Sequence, residues 1–110
     1  MSRDRYLGEL EQMVLLAVLR LDDGAYGSTV LDEIEARTGR SLSRGGLYVT
    51  LDRLVEKGLL EARMGKPTPE RGGRAPRLVT VTADGLAELK KSRRAFASLS
   101  QGLEAVLEDG

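Results

Sequence analysis

The residue pattern predicts a mainly helical fold carrying one small β-hairpin. Apolar residues recur at helical spacing along most of the chain, and only 59–64 and 78–81 read as strands. A segment rich in glycine, proline and arginine separates those two runs and forbids a regular helix there. With 110 residues the chain suits one domain with one core.

The first helix is expected over 7–21. Leu7, Leu10, Met13, Val14, Ala17, Val18 and Leu21 follow helical spacing, and Leu15, Leu16 and Leu19 widen the apolar surface beyond one face. A helix greasy on several sides sits centrally, at a subunit interface, or in both places. Asp22-Asp23-Gly24 then marks a turn. A second helix is expected from Tyr26 or Gly27 to Thr38, with Val30, Leu31 and Ile34 inward and Asp32, Glu33 and Glu35 in water. Arg37 suits the negative end of its dipole, and Gly39 ends it.

After the short bridge Arg40-Ser41-Leu42, Ser43 can cap a third helix by accepting from an amide two or three residues on. Leu47, Leu51, Leu54 and Val55 form its buried stripe, and Gly58 stops it. At about 100° per residue, Gly45, Gly46, Val49, Asp52, Arg53 and Glu56 fall on the opposite side. Each glycine costs up to about 1 kcal/mol relative to Ala in a helix. Close backbone approach to a phosphate or base edge would compensate; alternatively the glycines merely fray the first turn or permit tight helix packing. Two helices so closely joined, the second with an exposed face of small and basic residues, form a helix-turn-helix.

Between the strands lies 65–77, with Lys66, Arg71, Arg74 and Arg77 opposed only by Glu70. This tip is either a solvated loop whose charges keep a strand edge soluble, or a wing that lies along a phosphate backbone or probes a minor groove. Thr82 caps a last helix expected over 83–107. Leu89, Phe96 and Leu103 are spaced by seven, as are Leu99 and Val106, in a stripe interrupted by Ser92. Either a helix from a second copy covers this stripe, or the helix folds back on its own core. Lys90, Lys91, Arg93 and Arg94 read as its wet side.

These residues carry a resemblance. Leu7-Gly8-Glu9-Leu10-Glu11, Ala25-Tyr26-Gly27, the run 45–54 (Gly-Gly-Leu-Tyr-Val-Thr-Leu-Asp-Arg-Leu) with Glu56-Lys57-Gly58-Leu59, and Pro69-Glu70-Arg71-Gly72-Gly73-Arg74 with Thr82-Ala83-Asp84-Gly85 are similar to the PadR family of bacterial winged helix-turn-helix transcriptional regulators. The resemblance implies a DNA-binding winged helix-turn-helix over 1–81 and a dimerisation helix over 82–110, in one continuous domain. It also implies a homodimer on double-stranded DNA, most simply a repressor, with the third helix (43–57) of each subunit in a major groove. On that reading Ser43, Arg44, Gly45, Gly46, Tyr48, Val49 and Arg53 are groove residues. Tyr26, Gly27 and Ser28 touch the backbone, and Arg71, Gly72, Gly73 and Arg74 form the wing tip. Leu10, Val14, Leu89, Phe96, Leu99, Leu103 and Val106 would build the dimer interface. Arg53 either reads a base or pairs with Asp52 or Glu56. The chain shows a single C-terminal helix and no tryptophan, so a stacking pocket for flat effectors is not expected.

Composition narrows the alternatives. Without cysteine or histidine there is no disulfide, ordinary zinc site, thiol nucleophile or imidazole base, and neither an enzyme nor a cofactor is expected. Seventeen basic and seventeen acidic residues cancel, yet the acids gather in the first third and the arginines in the hairpin, so a neutral chain can present a basic edge. Neither a signal peptide nor a membrane span stands out, and a cytoplasmic protein is expected. Two other functions fit the pattern: a winged module that grips an acidic protein, and a sensor whose dimer crevice binds a small-molecule effector beside Phe96.

Overall fold

A computed structural model describes residues 6–66 and 75–108 of the chain. Its first helix, α1 (Glu9–Leu21), runs through the centre because it is apolar on more than one side, and Val14, Leu15, Ala17 and Val18 are buried. Leu7 precedes the helix rather than beginning it. The Gly8 amide is satisfied by the Glu11 carboxylate at 2.9 Å, which fixes the start two residues later than the apolar spacing suggests. At the other end Asp22 adopts φ 54° and leads into a 3-10 turn, Asp22–Gly24.

Helix α2 (Gly27–Thr38) buries Val30, Leu31 and Ile34 against α1 and stops at Gly39, whose φ of 73° is the left-handed value that favours glycine. Helix α3 (Arg44–Glu56) begins as its sequence dictates: the Ser43 hydroxyl accepts from the Gly46 amide at 2.8 Å. Its inward residues Leu47, Leu51 and Leu54 join α1 and α2 in one core. Strands β1 (Leu60–Met64) and β2 (Arg77–Val81) pair antiparallel in the register Leu60 with Val81 and Met64 with Arg77. The other edge of β2 is also stitched down, since the Val79 amide donates to the Ala25 carbonyl at 2.9 Å. Helix-turn-helix and hairpin are thereby tied together.

Helix α4 (Ala83–Ser100) starts at Thr82, whose hydroxyl accepts from the Gly85 amide at 2.9 Å. The helix expected over 83–107 is not continuous. Gln101 is extended, Gly102 sits at φ 88°, and a separate four-residue turn, α5 (Glu104–Leu107), follows. Glycine permits this elbow where any other residue would be strained. The heptad relation of Leu103 and Val106 to Phe96 and Leu99 is lost there.

Two residues expected at a dimer interface are instead spent within the chain. Val14 is fully buried and Leu89 nearly so, both in the core, because the side of α4 that carries Leu89 lies on the chain's own hydrophobic centre. Leu10 is half-buried against the same core, whereas Phe96, Leu99, Leu103 and Val106 are exposed. Ser92, an interruption in the sequence pattern, is a tie point: its buried hydroxyl accepts from the Leu7 amide at 3.1 Å, 85 residues away. No helix among the described residues is long and apolar enough to cross a membrane.

Candidate nucleic-acid interface

The two-sidedness of α3 decides what it can offer. With Leu47, Thr50, Leu51 and Leu54 turned inward, the side left in water carries Ser43, Arg44, Gly45, Gly46, Tyr48, Val49, Asp52, Arg53 and Glu56. Val49 is 56% exposed and places an apolar group on this otherwise small and charged side. Gly45 and Gly46 stand in the first turn, where the backbone amides are free of intrahelical partners except for the bond from Gly46 to Ser43. A Cβ on Gly45 would meet only the Ser43 oxygen at 3.9 Å, so no packing within the chain demands glycine there.

Gly27 is different. It opens α2 directly beneath the Tyr48 ring, and a Cβ there would stand 2.7 Å from the ring's Cζ and its hydroxyl. Glycine lets the tyrosine lie flat across the start of α2. The Tyr26 amide donates to the Thr29 hydroxyl at 3.0 Å, and Thr29 in turn donates to the Gly24 carbonyl at 2.6 Å, so the chain entering α2 is fixed as well. Arg44 leans back toward the Ser28 hydroxyl at 3.4 Å. The structure therefore brings Tyr26, Gly27, Ser28, Arg44 and Tyr48 together on one side.

The hairpin meets this surface through a pair that the sequence did not reveal. Arg77, at the start of β2, donates to the Asp52 carboxylate on α3 at 2.6 Å. In sequence Arg77 stands among loop arginines opposed only by Glu70, and nothing in the linear pattern points from residue 77 to residue 52. The pair spans a cleft of about 400 Å³ between α3 and the root of the hairpin, lined in part by Tyr26, Tyr48 and Ala75. With Asp52 engaged by Arg77, Arg53 pairs with neither Asp52 nor Glu56; its charge bears on Glu11. The wing-tip residues Arg71, Gly72, Gly73 and Arg74 lie outside the described residues.

The buried side of α3 is anchored at both ends by the first turn of α1. Glu9 pairs with Arg40, in the bridge before α3, at 2.9 Å, and Glu11 pairs with Lys57, just after α3, at 2.7 Å. Burial would push the Glu11 carboxyl up, but the Lys57 and Gly8 hydrogen bonds and the charges of Lys57 and Arg53 outweigh it and hold Glu11 below its ordinary value. Glu35 completes the frame by accepting from the Leu42 amide at 3.0 Å.

A model of the PadR-like transcriptional regulator family matches residues 15–91. The chain belongs to that family. Its place is among transcriptional regulators rather than enzymes. Solved structures agree in fold. A PadR-like regulator of Bacillus cereus superposes with a TM-score of 0.72 at 19% identity, over 92% of this chain and 93% of its own. A PadR family regulator of Eggerthella lenta gives 0.67 at 25% identity, over 93% and 88%. The F93 protein of STIV, a winged-helix DNA-binding protein, gives 0.69 at 17% identity, over 89% and 98%. A comparison with curated proteins gives no match. The winged-helix arrangement expected from the sequence is the one the structure has.

Proposed function

We propose that this PadR-like chain is a sequence-specific, DNA-binding transcriptional regulator that acts as a homodimer and represses by covering a promoter. The observation that carries the reading is the exposed side of α3: a capped helix that leaves two glycines, two arginines and a valine in water while its other side is locked into the core. In a major groove the glycines let the backbone approach closely, Val49 meets a thymine methyl, and Arg44 and Arg53 reach phosphates or guanine edges. Ser43 and the first amides of α3 suit a phosphate, as does the edge formed by Tyr26, Gly27, Ser28 and the Tyr48 hydroxyl. Arg71 and Arg74 at the wing tip, with Gly72 and Gly73 for close approach, contact adjacent backbone or minor groove. Leu10, Phe96, Leu99, Leu103 and Val106 supply the dimer contacts, and a crevice beside Phe96 is where a small-molecule effector would act.

Fluorescence titration of a selected operator across a range of salt tests this. Log affinity should fall with log salt at a slope of about 0.9 per phosphate contact, and changing Arg71 and Arg74 to Ala should make it shallower. Affinity indifferent to salt and to these changes would remove the wing from the interface. Sites selected from genomic fragments should contain inverted repeats with centres about 34–36 Å apart or a multiple of that.

A further inference from the structure

Gly45, Val49, Asp52 and Glu56 recur at i, i+4, i+7 and i+11, so they stand in one row along the exposed side of α3. A carboxylate in the middle of that row works against the approach of a phosphate backbone. Arg77 masks it. Its guanidinium reaches Asp52 across the cleft at the root of the hairpin, Nη1 to Oδ1 at 2.6 Å, so the two charges cancel on the free protein.

This pair is not what fixes the hairpin. The bond from the Val79 amide to Ala25 fastens the middle of β2, the bond from the Thr82 amide to Leu59 at 3.1 Å fastens its end, and Leu60 and Val79 are buried in the core. The side chain of Asp52 is 66% exposed and that of Arg77 44%, and an ion pair so open to water adds little net stability. A contact that the fold does not need can be exchanged for others at small cost. In a major groove an aspartate accepts from the amino group of cytosine, and a guanidinium finds its partner in a phosphate.

We propose that Asp52 is a specificity-determining residue whose pairing with Arg77 is exchanged on the right sequence. On the operator its carboxylate accepts from the N4 amino group of a cytosine and releases Arg77 to a neighbouring phosphate. On other sequences no amino group replaces the guanidinium, and the pair stays closed. One base is thereby coupled to one phosphate contact, and a wrong base forfeits both. The inference rests on the DNA-binding reading of α3 and adds to it a residue that rejects other sequences.

Fluorescence titration across salt, on the selected operator and on a random-sequence duplex, tests it with Asp52→Ala, Arg77→Ala and the double variant. Asp52→Ala should steepen the salt slope on the random duplex by about 0.9 per protomer, because Arg77 is then free to take a phosphate, and the double variant should lose that gain. Arg77→Ala should make the operator slope shallower by about 0.9 per protomer and leave the random-duplex slope unchanged. Sites selected by Asp52→Ala should lose a cytosine at one position and keep the rest of the pattern. Both single variants should melt close to the parent by circular dichroism. A random-duplex slope indifferent to Asp52→Ala, or an Arg77→Ala variant that flattens both slopes alike, would overturn the exchange and leave DNA binding standing. A large loss of Tm shared by both single variants, with the slopes unchanged, would make the pair a brace for the hairpin and overturn the exchange as well. A parent chain from which no duplex can be selected over random sequence would overturn the DNA-binding reading itself.

Discussion

Replacing Gly85 by Ala should reverse the usual effect of that substitution. In an ordinary helix Ala is favoured over Gly by about 1 kcal/mol. Gly85, in the first turn of α4, faces the backbone of Leu59 instead of solvent: an added Cβ would overlap the Leu59 carbonyl oxygen and stand 3.0 Å from both its carbon and a Val81 methyl. The Leu59 backbone cannot swing away as a side-chain tip could. Reaching an ordinary contact requires the start of α4 to retreat by roughly 1 Å. That movement strains the bond from the Thr82 amide to Leu59 at 3.1 Å, the bond from the Thr82 hydroxyl to Gly58 at 2.7 Å and the cap itself. With about 1 kcal/mol for each hydrogen bond and for the cap, less the gain in propensity, the net loss is about 2 kcal/mol. For a domain near this size that lowers Tm by about 8–16 °C. Thermal and urea unfolding followed by circular dichroism would measure it, with Gly45→Ala as a control expected to be neutral or slightly stabilising because its Cβ meets nearly open space. A Gly85→Ala variant as stable as the parent would refute the reasoning about the α4 contact.

Gly27→Ala should displace the Tyr48 ring, which is 40% exposed and can turn outward. The expected outcome is therefore a small stability change, about 0.5 kcal/mol, together with a severalfold loss of operator affinity in the fluorescence titration. Glu11→Gln should act on the pH dependence of folding. Because the folded carboxyl titrates below its ordinary 4.5, its stabilisation is fully present above that pH and is lost as the pH falls through the depressed folded value. The difference in Tm between parent and variant should hence be constant above about pH 5 and shrink in more acid solution; a difference that grows on acidification would contradict the Glu11–Lys57 contact.

Local chemistry made much of this fold legible. Ser43, Gly39 and Thr82 act as caps and stops through bonds to their near neighbours, so their roles are written within a few residues of each. The sides of α3 followed from periodicity alone, since its inward leucines leave only one face for the small and basic residues. What was not legible depends on distant partners. Ser92 looks like an interruption until Leu7 is placed beside it, and Arg77 looks unpaired until α3 presents Asp52. Val14 and Leu89 carry the same apolar signal whether they meet their own core or a second chain, and periodicity cannot tell these apart. The break at Gly102 was hidden by a seven-residue spacing that continues in sequence across the elbow.

Leu47, Leu51 and Leu54 share one core with Val14, Leu15 and Val18, and the Glu11–Lys57 pair ties the end of α3 to the start of α1, so α3 moves with the central helix. If two protomers join partly through that helix, as proposed, the gap between the two copies of α3 is set like the jaws of a caliper. Operators whose half-sites are one base pair too near or too far would be penalised by the frame as a whole, even where every base they offer is the right one.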